Sequence, residues 1–258
     1  MPVKPSKVDP SPYMKLILLT ALLNLILPLF AQSETASISP SRIQSIGNQA
    51  NLFKAGSLDQ SPYLQAGEYN LTFDDGPADK STALILNILR KYQVKANFFW
   101  LGKSFESHQD LIKQAQMDGH VLGLHSYSHP SFQLLSLEQA TREIDKSMQA
   151  FEKFVGFRPK LFRFPFGAFD VVNLAKRQSL LELAQKKEMS VFEWNMPGKD
   201  WIYQNVPDLQ KNMQLQLAQH DRGIILLHDT HMHTARFLEP LLLELNTRKL
   251  KTVVFQAN

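Results

Sequence analysis

Two adjacent carboxylates, Asp74 and Asp75, follow the largely apolar run 69–73 and precede the pair Gly76-Pro77. This pattern predicts a strand whose C-terminal end presents two acids before a turn. Because neighbouring side chains of an extended backbone point in opposite directions, one carboxylate can bind a cation while the other stays free to accept a proton. A turn that the Asp side chains stabilise would explain the same residues without any function.

Two histidines, His125 and His129, are spaced so that both imidazoles face one side of a helical turn, the arrangement of two-histidine metal sites. Pro130 follows at once, which indicates a short turn and not a long helix. With Asp75 they would form a site of two His and one Asp with open positions for water and substrate, typical of catalytic Zn²⁺. Other divalent ions such as Co²⁺ fit the same ligands, and two surface histidines are the alternative.

Two later segments add a cation and a proton donor. Arg163 ends an apolar run and precedes Pro165 and Gly167, and its guanidinium could hold a carboxylate through two hydrogen bonds. His228 directly follows the apolar run 223–227. An imidazole at that point titrates near neutral pH and is suited to protonate a leaving nitrogen.

In this order the segments resemble the polysaccharide deacetylase family, carbohydrate esterase family four, also called the NodB-homology domain. The resemblance covers roughly residues 69–255. In the loosest segment, Trp194 is followed by Asn195, where the family often carries an acid, and only Asp200-Trp201 fits. The segments that carry the resemblance are Thr72-Phe73-Asp74-Asp75-Gly76-Pro77, His125-Ser126-Tyr127-Ser128-His129, Arg163-Phe164-Pro165-Phe166-Gly167, Asp200-Trp201 and Leu226-Leu227-His228-Asp229.

The resemblance implies an exported deacetylase that hydrolyses the N-acetyl group of amino sugars in a polysaccharide or oligosaccharide and releases acetate. It implies one divalent metal ion, Zn²⁺ before Co²⁺ or another ion, and an acetylated glycan as substrate. The implied roles are Asp75, His125 and His129 as metal ligands, Asp74 as general base held by Arg163, the Phe166 amide as oxyanion donor, His228 as general acid oriented by Asp200, and Trp201 and Leu227 as walls of the acetyl pocket.

Three other functions are compatible with the same residues. An O-acetyl esterase of the xylan type would use the same groups, because only the leaving group differs. A carbohydrate-binding protein could keep the fold without turnover, and a hydrolase on this barrel could act on a small amide instead of a glycan. Nucleic acid is excluded as a partner, because no stripe of clustered Lys and Arg with interleaved aromatic residues occurs.

The elements that must position these groups alternate between strand and helix along the chain. Alternation of this kind favours a parallel sheet with helical crossovers. About seven such units are more than a small open sheet needs, which favours a barrel. We therefore predict a distorted (β/α) barrel of about seven parallel strands, as the resemblance also implies, with the motifs at the C-terminal ends of the strands.

The N-terminal residues predict export. Lys15 precedes the apolar run 16–30, and Ala31 supplies a small residue for cleavage. The run is shorter than the roughly 20 residues of a membrane span, so we expect no stable span after cleavage; a retained anchor is the alternative. The predicted organisation is a signal peptide over 1–31, with Met14 as an alternative start, a linker or loosely packed lead-in over 32–65 and a catalytic domain over 66–258. The chain has no cysteine, and we expect a secreted, periplasmic or cell-envelope protein of unspecified oligomeric state.

Overall fold

Parallel strands that alternate with helices form the frame of the molecule. The structure, a computed structural model, describes residues 38, 41–46 and 61–257. The strands are β1 (Arg42–Ile46), β2 (Glu68–Asp74), β3 (Asn97–Trp100), β4 (Val121–Leu124), β5 (Leu161–Phe162), β6 (Ser190–Val191), β7 (Met196–Pro197), β8 (Gly223–His228) and β9 (Lys251–Ala257). The α-helices are α1 (Asp79–Lys91), α2 (Gln109–Met117), α3 (Leu137–Val155), α4 (Leu174–Lys186), α5 (Val206–Gln219) and α6 (Met232–Thr247).

Seven of the strands curl into an open half-barrel in the order β7-β8-β2-β3-β4-β5-β6, and every neighbouring pair is parallel. Within the described ranges no ladder joins β6 to β7, so the ring stays open there. Strand β9 pairs with the beginning of β2, and β1 pairs along β9. The predicted distorted barrel of about seven parallel strands is confirmed.

Two buried asparagines connect β9 to the half-barrel. Asn70 on β2 donates from Nδ2 to Oδ1 of Asn97 and to the carbonyl oxygen of Val253, both at 2.8 Å. Asn97 on β3 donates to the carbonyl oxygen of Phe255 at 2.7 Å and accepts from the Phe255 amide at 3.0 Å. Since a buried amide is costly without partners, these bonds fix the position of β9 against β2 and β3.

The segment 32–65, predicted to be a linker or loosely packed lead-in, contributes strand β1. The apolar residues of β1, Ile43 and Ile46, are three apart, so they do not show the alternation that identifies a half-buried strand. The strand forms because it pairs in register with β9, and because Arg42 makes two hydrogen bonds, at 2.9 and 2.6 Å, to the Glu68 carboxylate. Both partners are distant in sequence, which local patterns cannot reveal.

Helix α3 shows how local residues set an element. Ser136 precedes it and accepts a hydrogen bond from the Gln139 amide, while the Gln139 side chain accepts from the Ser136 amide. This reciprocal cap satisfies two amides that the first turn would otherwise leave unpaired. Gly156 ends the helix in the left-handed conformation, with φ of 93°.

The C-terminal ends of the strands converge where the sequence placed the motifs. Asp74 at the end of β2 is paired in register with Phe99 on β3 and with His228 on β8. Strands β5 and β6 are the shortest of the half-barrel together with β7, with two residues each. Every helix in the described part of the chain is too short or too polar to cross a membrane. The predicted signal peptide lies outside the described residues.

Candidate active site

A cavity of about 340 Å³ lies at the C-terminal ends of β2, β4 and β8. Its wall contains acids, imidazoles and aromatic rings, so it suits a ligand that has both a polar reacting group and an apolar surface. It is lined by Asp74, Asp75, His125, His129, Phe166, Trp194, Trp201, Leu226, His228 and His231.

Asp75, His125 and His129 bring a carboxylate oxygen and two imidazole nitrogens within 4.8 Å of one another. Oδ1 of Asp75 lies 3.2 Å from Nε2 of His129 and 3.5 Å from Nε2 of His125. No other group of three His, Cys, Asp or Glu residues in the described part of the chain has this geometry. The structure therefore brings together the three residues that the sequence predicted as metal ligands.

The orientation of His125 indicates what this group can bind. Its Nδ1 lies 2.8 Å from the carbonyl oxygen of Arg163, so Nδ1 carries the proton and Nε2 presents a lone pair to Asp75. Burial lowers the pKa of His125 to about 3, although the charge of Asp75 opposes the shift, so the ring is neutral at neutral pH.

Oδ1 of Asp75 is buried and accepts no hydrogen bond from the described residues. A carboxylate oxygen and an imidazole lone pair, both acceptors, therefore face each other with no donor between them. Such a contact is repulsive unless a cation lies between the two atoms. The second nitrogen of His125 is held by a carbonyl oxygen, as in metal sites of proteins. The residues present therefore fit a divalent metal.

The backbone around the cavity adopts a conformation that is rare outside glycine. Asp75, Ser126, His129 and Phe166 have φ of 76°, 69°, 68° and 63°. A non-glycine residue in this region costs on the order of 1–3 kcal/mol and persists only where surrounding contacts hold it. The occurrence of this left-handed conformation at two proposed ligands and at the proposed oxyanion residue supports a functional site at the cavity.

Asp74 is paired with Arg163 in the interior of the barrel. Nη1 of Arg163 donates to Oδ1 of Asp74 at 2.7 Å and to Oγ1 of Thr72 at 2.8 Å, while its Nε donates to the Phe192 carbonyl oxygen at 2.9 Å. The ring centroid of Phe99 lies 4.2 Å from the guanidinium carbon. These contacts hold Arg163 in one place and direct one oxygen of Asp74 toward it.

The second oxygen of Asp74 faces the metal-ligand group, with Oδ2 3.7 Å from Nε2 of His125. Burial raises the pKa of Asp74 above its ordinary value, and the charge of Arg163 opposes this shift. A carboxylate with a raised pKa accepts a proton more readily, and Oδ2 is the oxygen of Asp74 that Arg163 does not contact.

Phe166, in the loop after Arg163, lines the cavity. No hydrogen bond between described residues uses the Phe166 amide. Phe166 is 58% exposed, and its ring packs edge-on against that of His129 with the ring centroids 4.9 Å apart. The Gly167 amide donates to the Phe164 carbonyl oxygen at 2.8 Å and closes the turn.

His228 is oriented by Asp200. Nδ1 of His228 donates to Oδ1 of Asp200 at 2.7 Å, and Oδ2 of Asp200 accepts from the His228 amide at 2.6 Å and from Thr234 Oγ1 at 2.7 Å. Nε2 of His228 faces the cavity, 4.0 Å from Oδ2 of Asp75. Burial disfavours the imidazolium, but the hydrogen bond and charge of Asp200 outweigh it and raise the pKa of His228 to about 9.

One predicted wall residue is wrong. Leu226, and not Leu227, lines the cavity, while Leu227 is buried in the core. Successive side chains of β8 alternate between its two faces, so Leu226 shares the cavity face with His228 and Leu227 points the other way. Trp201 does line the cavity, half-exposed, with its ring edge-on to His228 at 5.4 Å.

Two histidines outside the predicted set, His231 and His233, lie at the site. His231 lines the cavity, and its ring stacks on that of His233 with centroids 4.9 Å apart. His233 Nε2 lies 2.8 Å from the carbonyl oxygen of Asp200 and so supports the segment that orients His228. Their closeness to His228 in sequence was the available signal.

Two buried acids at the site were also missed, Glu193 and Asp229. Oδ2 of Asp229 accepts hydrogen bonds from Thr82 Oγ1 at 2.7 Å and from Trp100 Nε1 at 2.9 Å. A Cβ at Gly76 would lie 2.2 Å from the same oxygen, so Asp229 packs directly against the turn that carries Asp75. Asp229 directly follows the last residue of the apolar strand β8, which was an available signal, whereas Glu193 lies within the apolar run 191–194 and offered none.

Known proteins share sequence and fold with this chain. A sequence model of the polysaccharide deacetylase family matches residues 64–184. The peptidoglycan-N-acetylglucosamine deacetylase PgdA of Listeria monocytogenes is 32% identical over 178 residues, which are 69% of this chain and 36% of that protein. The peptidoglycan-N-acetylmuramic acid deacetylase PdaC of Bacillus subtilis is 30% identical over 183 residues, 71% of this chain and 37% of that protein.

The chain thus spans little more than a third of the length of these two curated relatives. Among solved structures, the peptidoglycan deacetylase Bd3279 of Bdellovibrio bacteriovorus superimposes with a TM-score of 0.69 at 27% identity, over 88% of this chain and 62% of that one. By its sequence and by its fold, the chain belongs to the polysaccharide deacetylase family.

Proposed function

We propose that the protein is an exported, metal-dependent deacetylase that hydrolyses the N-acetyl group of amino sugars in a polysaccharide or oligosaccharide. The observation that carries the proposal is the meeting, in one cavity, of a metal-ligand group, a base and an acid of distinct character. Asp75 and its two histidines form the ligand group, Asp74 is a buried carboxylate, and His228 has a pKa raised to about 9. Their separate environments assign them separate roles.

Asp75, His125 and His129 would hold the metal, with Zn²⁺ as the ion that best suits two imidazoles and one carboxylate. Bound there, a divalent cation supplies Lewis-acid polarisation of the acetyl carbonyl and of the attacking water. The neutral state of His125 at neutral pH favours this binding, because a protonated imidazole cannot be a ligand.

Asp74 is the general base in this proposal. Arg163 occupies Oδ1, so Oδ2 is the oxygen that takes a proton from water as it attacks the acetyl carbon. The amide of Phe166 then donates to the carbonyl oxygen as negative charge develops on it.

His228 is the general acid. Its Nε2 carries the proton at working pH, because Asp200 holds Nδ1 and raises the pKa of the ring. Transfer of this proton to the sugar nitrogen allows the amine to leave, and the C–N bond breaks with release of acetate. An acid with a pKa of about 9 stays protonated at neutral pH. An amine depends on such a proton donor to leave more than an alcohol does, which favours N-acetyl over O-acetyl substrates.

The walls of the cavity support a sugar substrate. Trp201 and Phe166 are both about half exposed at its rim, and aromatic faces bind the apolar faces of sugar rings. Peptidoglycan and chitin-like oligomers both carry N-acetylglucosamine, and the proposal extends to either.

Export rests on the N-terminal sequence, where Lys15 precedes the apolar run 16–30 and Ala31. N-terminal sequencing of protein from the cell envelope should then begin near Gln32. A full-length, membrane-retained chain would mean that the run serves as an anchor.

Acetate release across a panel of acetylated substrates tests the activity. The panel contains peptidoglycan, N-acetylglucosamine oligomers, acetylated xylan and a small N-acetyl amide, each with metal-replete protein. We expect acetate and one new amine per acetate from the first two. Release from xylan alone would indicate an esterase, release from the small amide alone would remove the glycan, and no release from any substrate would leave a non-catalytic binding protein.

A further inference from the structure

A buried acid that the proposed mechanism does not use contacts the loop of the oxyanion donor. Glu193 follows the short strand β6 and is 5% exposed. Its Oε1 accepts a hydrogen bond from the amide of Ala168 at 3.1 Å. A Cβ at Gly167 would lie 3.0 Å from its Oε2, so the carboxyl group packs directly against the backbone of this loop.

The loop needs such support because its backbone is strained. Phe166 has φ of 63° and Gly167 has φ of 84°. The hydrogen bond from Gly167 to Phe164 closes the turn from inside, but it does not anchor the turn to the rest of the barrel. The hydrogen bond from the Ala168 amide to Glu193 anchors the turn to the barrel, two residues after the Phe166 amide. A strained conformation persists only when contacts of this kind hold it.

The same short segment also supports the base. The carbonyl oxygen of Phe192 accepts from Nε of Arg163 at 2.9 Å, and Arg163 in turn holds Asp74. The ring of Trp194 lies 5.4 Å from the Arg163 guanidinium carbon. A Cβ at Gly167 would lie 2.9 Å from Cη2 of Trp194, so this ring also packs against the loop.

Residues 192–194 therefore contact both sides of the cavity, the base through Arg163 and the oxyanion loop through Ala168. We propose that Glu193 is a positioning residue that clamps the 166–168 loop through the Ala168 amide and thereby aims the Phe166 amide at the developing oxyanion. The inference rests on the proposed function for its catalytic consequence, but the clamp itself does not.

The main competing role for Glu193 is a charge that balances Arg163, because Arg163 is the strongest neighbouring charge that acts on the Glu193 carboxyl. The two roles differ in what glutamine can replace. Glu193→Gln keeps an oxygen acceptor for the Ala168 amide and removes the charge, whereas Glu193→Leu removes both at similar volume. Glu182→Leu, on an exposed face of α4, is the matched control.

Hydrogen exchange at the Ala168 amide measures the clamp without any substrate. We expect slow exchange in the wild-type chain and in Glu193→Gln and Glu182→Leu, and at least about tenfold faster exchange in Glu193→Leu, because local opening then no longer breaks a hydrogen bond. Unprotected exchange in the wild-type chain, or equal rates in wild type and Glu193→Leu, would overturn the clamp. If Glu193→Leu does not fold, Glu193→Met gives the same comparison.

Steady-state kinetics on an N-acetylglucosamine oligomer measure the catalytic consequence. Glu193→Leu should lose about 10- to 100-fold in kcat, below or near the loss from deleting an oxyanion donor, while KM changes less than about threefold. Bound metal should be unchanged, and Glu193→Gln should keep kcat within about threefold of wild type. Equal kcat losses in the Gln and Leu variants would assign Glu193 to charge balance instead. If the wild-type protein releases no acetate at all, the proposed activity fails, and the exchange result still decides the clamp.

Discussion

Oδ1 of Asp200 lies 2.7 Å from Nδ1 of His228, and this contact both orients the imidazole ring and favours its positive charge. Because Nδ1 donates to a carboxylate, Nε2 is the nitrogen that faces the cavity. The same carboxylate raises the pKa of His228 to about 9, whereas a solvated histidine titrates near 6.5.

Asp200→Asn should move the alkaline limb of the pH–rate profile to lower pH. The active form needs protonated His228, so activity falls as the pH rises through its pKa. Removing the carboxylate charge lowers that pKa, and the fall then begins at a more acidic pH. A profile of kcat/KM in both proteins measures the shift. An alkaline limb that stays in place would show that it does not report His228.

His228→Ala should discriminate between leaving groups. An amine must be protonated to leave, whereas the alcohol of an activated aryl acetate is a good leaving group without help. We expect the variant to lose about 10²- to 10⁴-fold on an N-acetyl sugar and much less on the aryl acetate. Equal losses on both substrates, with metal content intact, would remove His228 from the role of general acid.

The adjacent acids Asp74 and Asp75 provide a matched pair of variants. Asp74→Asn should retain the metal and lose turnover, because it removes a base and not a ligand. Asp75→Asn should weaken metal binding, as should His125→Ala and His129→Ala, while the fold survives in all. Metal content of the purified variants, with circular dichroism as the control for folding, distinguishes the two acids. Loss of metal from Asp74→Asn but not from Asp75→Asn would exchange their roles.

Gly76→Ala should displace the turn that carries Asp75, because the added methyl group would clash with the Asp229 carboxylate. The new Cβ would lie 2.2 Å from Oδ2 of Asp229, and Asp229 is held by Thr82 and Trp100, so the turn and not the acid should move. We expect weaker metal binding as well as lower stability. Gly156→Ala is the control: its φ of 93° costs about 1–2 kcal/mol, but nothing lies within 4 Å of the added Cβ.

The comparison of the two Gly variants is made by metal titration and by thermal unfolding. Gly156→Ala should lower Tm with unchanged metal affinity, because the strain is far from the ligands. If Gly76→Ala also leaves metal affinity unchanged, Asp229 does not support the turn of Asp75.

Sequence patterns predicted the parts of this molecule that local chemistry determines. The alternation of strands and helices predicted the barrel, because each helix and strand carries its own periodicity. The ligand group was predictable because Asp75, His125 and His129 are polar residues at strand ends, and ends of parallel strands meet at one edge of the barrel.

The parts that escaped prediction depend on contacts distant in sequence or on the phase of a strand. Leu226 and Leu227 are equally apolar, and only the register of β8 decides which one faces the cavity. Glu193 lies in an apolar run with no motif around it, and its partner Ala168 is distant in sequence. Strand β1 exists because β9 offers it an edge, which no local pattern of 41–46 shows.

Metal titration into metal-free protein, followed by acetate release from an N-acetylglucosamine oligomer, tests whether catalysis depends on one bound metal ion. We expect no release from the chelated protein, a linear rise with added Zn²⁺ up to one equivalent, and a plateau beyond it. His129→Ala should show no such rise at one equivalent. Full acetate release from thoroughly chelated protein, or none at any metal ratio, would contradict the account.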